Sequence, residues 1–114
     1  MYTNRAMADQ LRSLAFGSIS SSYAPVGPPL EFPTRLICFT NNTDADVIFT
    51  MDGSTDQIIV VSKGFKLLDI TTNHRPINQD DFCFSIGIQW SVRSLTSPTT
   101  GSVYIEVIYA QPNS

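Results

Sequence analysis

Few side chains in this 114-residue chain could carry chemistry, and their spacing narrows what that chemistry would be. His74 is the sole histidine; it stands beside Arg75 in a polar stretch, with Asp69, Asp80 and Asp81 near in sequence. Any Ser/His/Asp relay must use it, yet no Gly-x-Ser-x-Gly elbow accompanies it, which reads as a solvated loop histidine. Asp44, Asp46, Asp52 and Asp56 fall in adjacent turns and could gather around a hard cation. They lack the Asp-x-Asp-x-Asp-Gly spacing and distal Glu of a calcium loop, and turn chemistry accounts for each. Cys38, Cys83 and His74 lie in separate segments and match no zinc pattern. Glu31 and Glu106 are the only glutamates, and spacing gives Glu106 no partner carboxylate of the kind a glycosidase needs across a cleft. Neither Gly-x-Gly-x-x-Gly nor a phosphate-binding P-loop occurs. Asn41-Asn42-Thr43 is formally a glycosylation sequon, read here as turn chemistry. The expectation is a protein with no catalytic residues, no metal and no cofactor, and hence no enzyme.

The elements that would hold these groups are strands. Apolar runs stand on either side of Asn41-Asn42-Thr43-Asp44-Ala45-Asp46, and a second turn signal follows at Asp52-Gly53. Asn, Asp and Gly accept positive φ or bond back to their own backbone, and Asp-Gly between β-formers is a strong hairpin signal. The pattern predicts a meander of strands over 35–40, 47–51, 57–61 and 65–70. Leu36 and Cys38 alternate with Ile37 and Phe39, so the first strand is expected to be covered on both faces. Val47, Phe49 and Met51 share one face of the second. After an exposed polar loop over 71–81, the alternation Phe82, Phe84, Ile86, Ile88, Trp90, Val92 predicts one long strand, or two bent at Gly87. Trp90 on that face reads as core; a sugar-stacking platform would need it on the other. The last strand covers 103–109, with Glu106 on its outer face, and 111–114 is a polar tail. Short strands at roughly ten-residue spacing predict an all-β sandwich, jelly roll or barrel over 34–110.

The first 33 residues read differently. Met7, Leu11 and Leu14 stand at helical spacing and predict a short helix over 3–14, capped by Thr3 or Asn4. Residues 16–33 are rich in Ser and Pro, with four of the seven prolines between Pro25 and Pro33, which excludes a helix interior or a central strand. The apolar content is too high for a solvated linker. An extended arm is the reading, lying along its own sheet or along a partner. Its partner-binding anchors would be Leu11, Leu14, Phe16, Ile19, Tyr23, Val26, Leu30 and Phe32, and residues 34–110 are expected to fold without it.

Composition excludes several partners. The net charge is −3, and the seven basic residues are scattered rather than gathered into a stripe, so neither nucleic acid nor an anionic membrane is expected. A charged fraction of 15% is low and suggests surface covered by other protein. Two cysteines make no disulfide framework; they read as small thiols or as a single bridge between strands. No secretory signal is visible and no apolar run approaches the ~20 residues of a membrane helix, so synthesis in the cytoplasm is expected.

Three stretches resemble the small virion structural proteins of tailed bacteriophages. They are Asn41-Asn42-Thr43-Asp44-Ala45-Asp46-Val47-Ile48-Phe49-Thr50-Met51-Asp52-Gly53, Phe65-Lys66-Leu67-Leu68-Asp69-Ile70-Thr71, and Ser97-Pro98-Thr99-Thr100-Gly101-Ser102-Val103-Tyr104-Ile105-Glu106-Val107-Ile108-Tyr109-Ala110. The chain is most similar to head cement, decoration or staple proteins. That resemblance implies a jelly-roll-like domain of six to eight antiparallel strands on the exterior of the phage head. It implies that the domain clamps neighbouring copies of the major capsid protein, as a dimer or trimer. A neck or tail component of the particle, or a carbohydrate-binding β-sandwich for host attachment, are the alternatives.

Overall fold

At the middle of the chain, Asp52 closes a turn on itself. Its carboxylate accepts the backbone N–H groups of Ser54 and Thr55, both at 2.9 Å, and the Thr50 hydroxyl at 2.8 Å. This turn sets β5 (Val47–Thr50) against β6 (Ile58–Val60). The two halves of the chain then pair outward from it. β4 (Thr34–Asn41) pairs with β7 (Phe65–Asp69), β3 (Ala24–Pro25) with β8 (Ser91–Ser94), and both β1 (Thr3–Ala8) and β2 (Arg12–Ala15) with β9 (Ser102–Asn113). Folding this long hairpin over on itself brings β9 beside β4 and β8 beside β5. The result is two antiparallel sheets, β1/β2–β9–β4–β7 and β3–β8–β5–β6, which is the jelly-roll arrangement. The computed structural model describes residues 3–69 and 84–113.

The core lies between the sheets. Ile37, Phe39, Val103, Ile105 and Val107 from one meet Val47, Phe49, Val60 and Val92 from the other, all buried. Trp90, just before β8, is 1% exposed, and the Phe39 ring lies 4.8 Å from both Phe49 and Trp90. Phe84 closes one side of Trp90 edge-on.

Several expectations are corrected. Residues 35–70 do not form a meander: the Asn/Asp cluster is a corner that carries the chain from the first sheet to the second, and β7 returns to the first. Asn41 builds that corner. Fully buried, it donates from Nδ2 to the carbonyls of Ala45 (2.8 Å) and Val60 (2.9 Å). Its Oδ1 accepts the backbone N–H and hydroxyl of Thr43. The helix expected over 3–14 is absent; β1 and β2 stand there, because an isolated ten-residue helix is marginal and the β9 edge offers a full ladder. The single helical element among the described residues is a 3-10 turn over Phe16–Ser18. Of the one strand, or two bent at Gly87, expected over 82–93, the described residues show an isolated bridge from Phe84 to Thr34 and the strand Ser91–Ser94, with the bend at Gly87 between them. The chain turns at Gly87 (φ +95°), and Ile86 points outward. Met51 falls in the turn after β5 and is also exposed. The tail is strand as far as Asn113, paired with β1.

The Ser/Pro-rich segment is part of the body. It runs along the 84–94 stretch as an interrupted edge strand, with Val26 N–H on Trp90 O (2.9 Å), Leu30 N–H on Ile88 O (2.8 Å) and Ser94 N–H on Ser20 O (2.8 Å). Prolines are tolerated at such an edge, where a missing donor faces away from the ladder. Arg12 clamps it from the other side: its guanidinium donates to Pro28 O (2.9 Å) and Pro29 O (3.1 Å) and pairs with Asp9 at 3.2 Å. Gly27, at φ +68°, lies against the Arg12 side chain, where a Cβ would come within 2.6 Å of Cγ.

Two outcomes follow. Trp90→Ala should destabilise the protein by roughly 3–5 kcal/mol in denaturant unfolding, as large core truncations do; a loss below about 1 kcal/mol would contradict this packing. Deleting residues 1–33 should abolish cooperative unfolding and the aromatic circular dichroism signal. It strips three strands and removes Ile19, Val26 and Leu30 from the core cluster that holds Phe39 and Trp90, so a folded remainder would show the segment to be dispensable.

Candidate functional site

The strand pairing that buries Ile37, Phe39, Val103, Ile105 and Val107 must turn the intervening residues outward. In register across the first sheet these are Asp69, Leu36, Ile108 and Ala8; then Leu67, Cys38 and Glu106; then Phe65, Thr40, Tyr104 and Ser13. Leu67 is 50% exposed and Phe65 71% exposed, both on β7, which ends the sheet. Cys38 is a half-buried free thiol at the centre of the face. An apolar sheet face beside an open edge strand is what monomeric surfaces avoid and interfaces use.

At the other side of this face is an open groove of about 530 Å³, lined by Ala8, Asp9, Leu11, Thr40, Tyr104, Glu106, Val107 and Ile108. The β1–β2 loop forms one wall and places Leu11 there, 53% exposed. Asp9 is held by Arg12 and by the Gln10 backbone N–H at 2.7 Å. Glu106 makes no hydrogen bond or ion pair with any described residue.

The anchor residues expected from the sequence do not gather on this face. Ile19, Val26 and Leu30 are core residues, and Leu14 packs against them. Phe16 is exposed on the 3-10 turn, and Phe32 stacks on Tyr109 with ring centroids 3.9 Å apart. Tyr23 donates to Asp56 in the β5–β6 turn. Of the eight, Leu11 alone lines the groove. The signal in the sequence was the double-sided apolar pattern of 35–40, expected to be covered on both faces; Ile37 and Phe39 are covered, whereas Leu36 and Cys38 lie on the side that no described element covers.

The aspartates of the adjacent turns are occupied separately. Asp44 ties its corner to the Thr99 hydroxyl and backbone N–H, which lower its pKa in that order. Asp46 accepts the Ser62 N–H at 2.8 Å. The backbone donors of Ser54 and Thr55 hold Asp52 well below the usual carboxylate range. Arg93 grips Asp56 through two nitrogens, at 2.8 and 2.5 Å, and lies over the Tyr23 ring. Bonds from Arg93 first and Tyr23 second bring the Asp56 pKa down to about 2. No group of three or more potential metal ligands forms among the described residues. His74, Asp80, Asp81 and Cys83 lie outside the described residues. Trp90 is enclosed in the core and offers no ring face to a sugar.

Comparison with known proteins finds no matching family model, no matching curated protein and no matching solved structure. The jelly roll itself hosts many unrelated roles, so function must be argued from the face.

The Asp56 arrangement makes stability acid-sensitive. A carboxylate whose folded pKa lies below its unfolded value of about 3.9 stabilises above that value and loses its contribution as pH falls toward the folded one. Unfolding midpoints measured from pH 5 to pH 2 should therefore drop below about pH 4, and Asp56→Asn should flatten part of that drop. Superimposable profiles for the two proteins would detach Asp56 from acid stability.

Proposed function

We propose that this chain is a non-enzymatic structural protein of a phage particle, a cement or decoration protein that clamps neighbouring major capsid proteins on the head exterior. The observation that carries the adhesive part is the outer apolar face of the β1/β2–β9–β4–β7 sheet, which no described element covers, with Phe65 and Leu67 exposed on its last strand. Burying such a face against another protein removes apolar area from water at roughly 25 cal/mol per Å² before ordering costs. The location on a phage head rests on the resemblance of the three sequence stretches above. Because residues 16–33 run along the 84–94 stretch, adhesion is assigned to the rigid face rather than to a trailing arm. A pre-ordered surface loses less entropy on docking than a disordered segment would. Many identical copies on a lattice then reinforce seams that each holds only modestly.

Heads assembled from the major capsid protein alone provide the test. Wild-type chain should bind them in many copies per particle, and Leu67→Asp should reduce binding at least about tenfold by placing an unpaired charge in the interface. The melting temperature should stay unchanged, since Leu67 is half-exposed in the free protein. Undiminished binding by this variant would remove the face from the mechanism. A few copies at one vertex would point to a neck or tail component instead.

A further inference from the structure

The groove beside β9 has apolar walls around an uncompensated charge. Leu11, Ala8 and Ile108 line it, Tyr104 adds an aromatic surface, and Glu106 contributes a carboxylate with no counter-ion among the described residues. Asp9 borders the same groove, but Arg12 already neutralises it at 3.2 Å. Arg12 does not serve Glu106 as well: it is buried, and its guanidinium donates to Asp9 and to the carbonyls of Gln10, Pro28 and Pro29, with no bond to Glu106. In the register rows of Thr40 and Cys38 no cationic side chain lies on this side of the sheet, and Lys66 falls in the row of Phe39 and Ile105 on the other.

We infer that this groove receives an arginine or lysine side chain from the protein partner, its aliphatic stem against Leu11 and Ile108 and its cationic head on Glu106. The inference rests on the adhesion reading and adds the chemistry of the partner. A wholly apolar side chain docked here would strip water from Glu106 and return nothing for it. Long cationic side chains carry both parts the groove requires, an apolar stem and a charged tip, and Tyr104 provides a ring face for the cation. Seated between apolar contacts, such a side chain has the character of an interface anchor, and the bare carboxylate selects against neutral competitors.

The probe is the blocked peptide acetyl-Leu-Arg-Leu-amide, titrated into isotopically labelled full-length protein and followed by amide chemical shifts. Shifts should centre on Ala8, Leu11, Tyr104, Glu106 and Ile108. The isosteric neutral peptide with citrulline in place of arginine should bind about fivefold or more weaker. Glu106→Gln should bring the two peptides level, whereas Glu106→Asp should keep the preference for arginine. Equal binding of both peptides by the wild type, shifts centred elsewhere, or no shifts up to about 10 mM peptide would each overturn the inference. Concentration-dependent shifts at these residues without peptide would also overturn it, by making a second copy of this chain the occupant. Head binding measured on the same preparation separates the two readings. Retained head binding without arginine preference removes the groove's role alone. Arginine preference without head binding removes the capsid reading and leaves the groove standing.

Discussion

The jelly roll depends on one buried amide. Asn41 ends β4 in the first sheet, and its side chain bonds the carbonyl that leads into β5 and a carbonyl of β6 in the second. Its oxygen takes the Thr43 backbone and hydroxyl, so both donors and both acceptor positions are filled by protein groups in a fully buried site. A fully satisfied network of this kind is worth more in a low dielectric than at the surface, and it permits one geometry. That geometry is the crossing between sheets. Next to it, Gly101 at φ +91° lets the β8–β9 connection pass against the Asn42 carbonyl, where a Cβ would collide. Asp44 ties the same corner to Thr99. The corner and the last connection are thus locked together, and β9 enters its groove in the first sheet in a single register.

β9 then organises the remainder. It pairs with β4 on one side and with both β1 and β2 on the other, so the N-terminal strands are recruited by its edge rather than by their own preferences. Arg12 extends that recruitment across the sheet to the proline-rich segment, and Asp56, Tyr23 and Arg93 fasten the segment again at the far sheet. The consequence for function is geometric. With the N-terminal third spent on completing both sheets, nothing among the described residues covers the outer side of the first one. Leu36, Cys38, Leu67 and Phe65 lie there as a surface, with the Glu106 groove at one side.

The polar residues that most invite a chemical reading prove to be builders. Asp44, Asp46, Asp52 and Asp56 each serve a different turn, corner or latch, and their oxygens are turned toward their own neighbours. Glu106 is the exception, since it stands on a strand where no turn needs it.

What the sequence determined by itself is local. Period-two alternation and Asn/Asp/Gly turns set the strands of the central body to within a residue or two, because side-chain direction and turn dihedrals are properties of a few adjacent residues. The core placement of Trp90 was legible for the same reason. Tertiary structure decided the rest. The corner at Asn41 looks like any hairpin turn in the sequence, since whether a turn returns to its own sheet or crosses to another depends on residues as distant as Val60. Met7, Leu11 and Leu14 fit a helix as well as two strands, and only the open edge of β9 chooses between them. The prolines of 16–33 correctly exclude a central strand, yet they are compatible with an edge, and the buried Arg12 that holds them there gives no sign in a count of charges. Which apolar residues remain uncovered is the last such decision, because exposure belongs to the packing of whole sheets and not to any one of their strands.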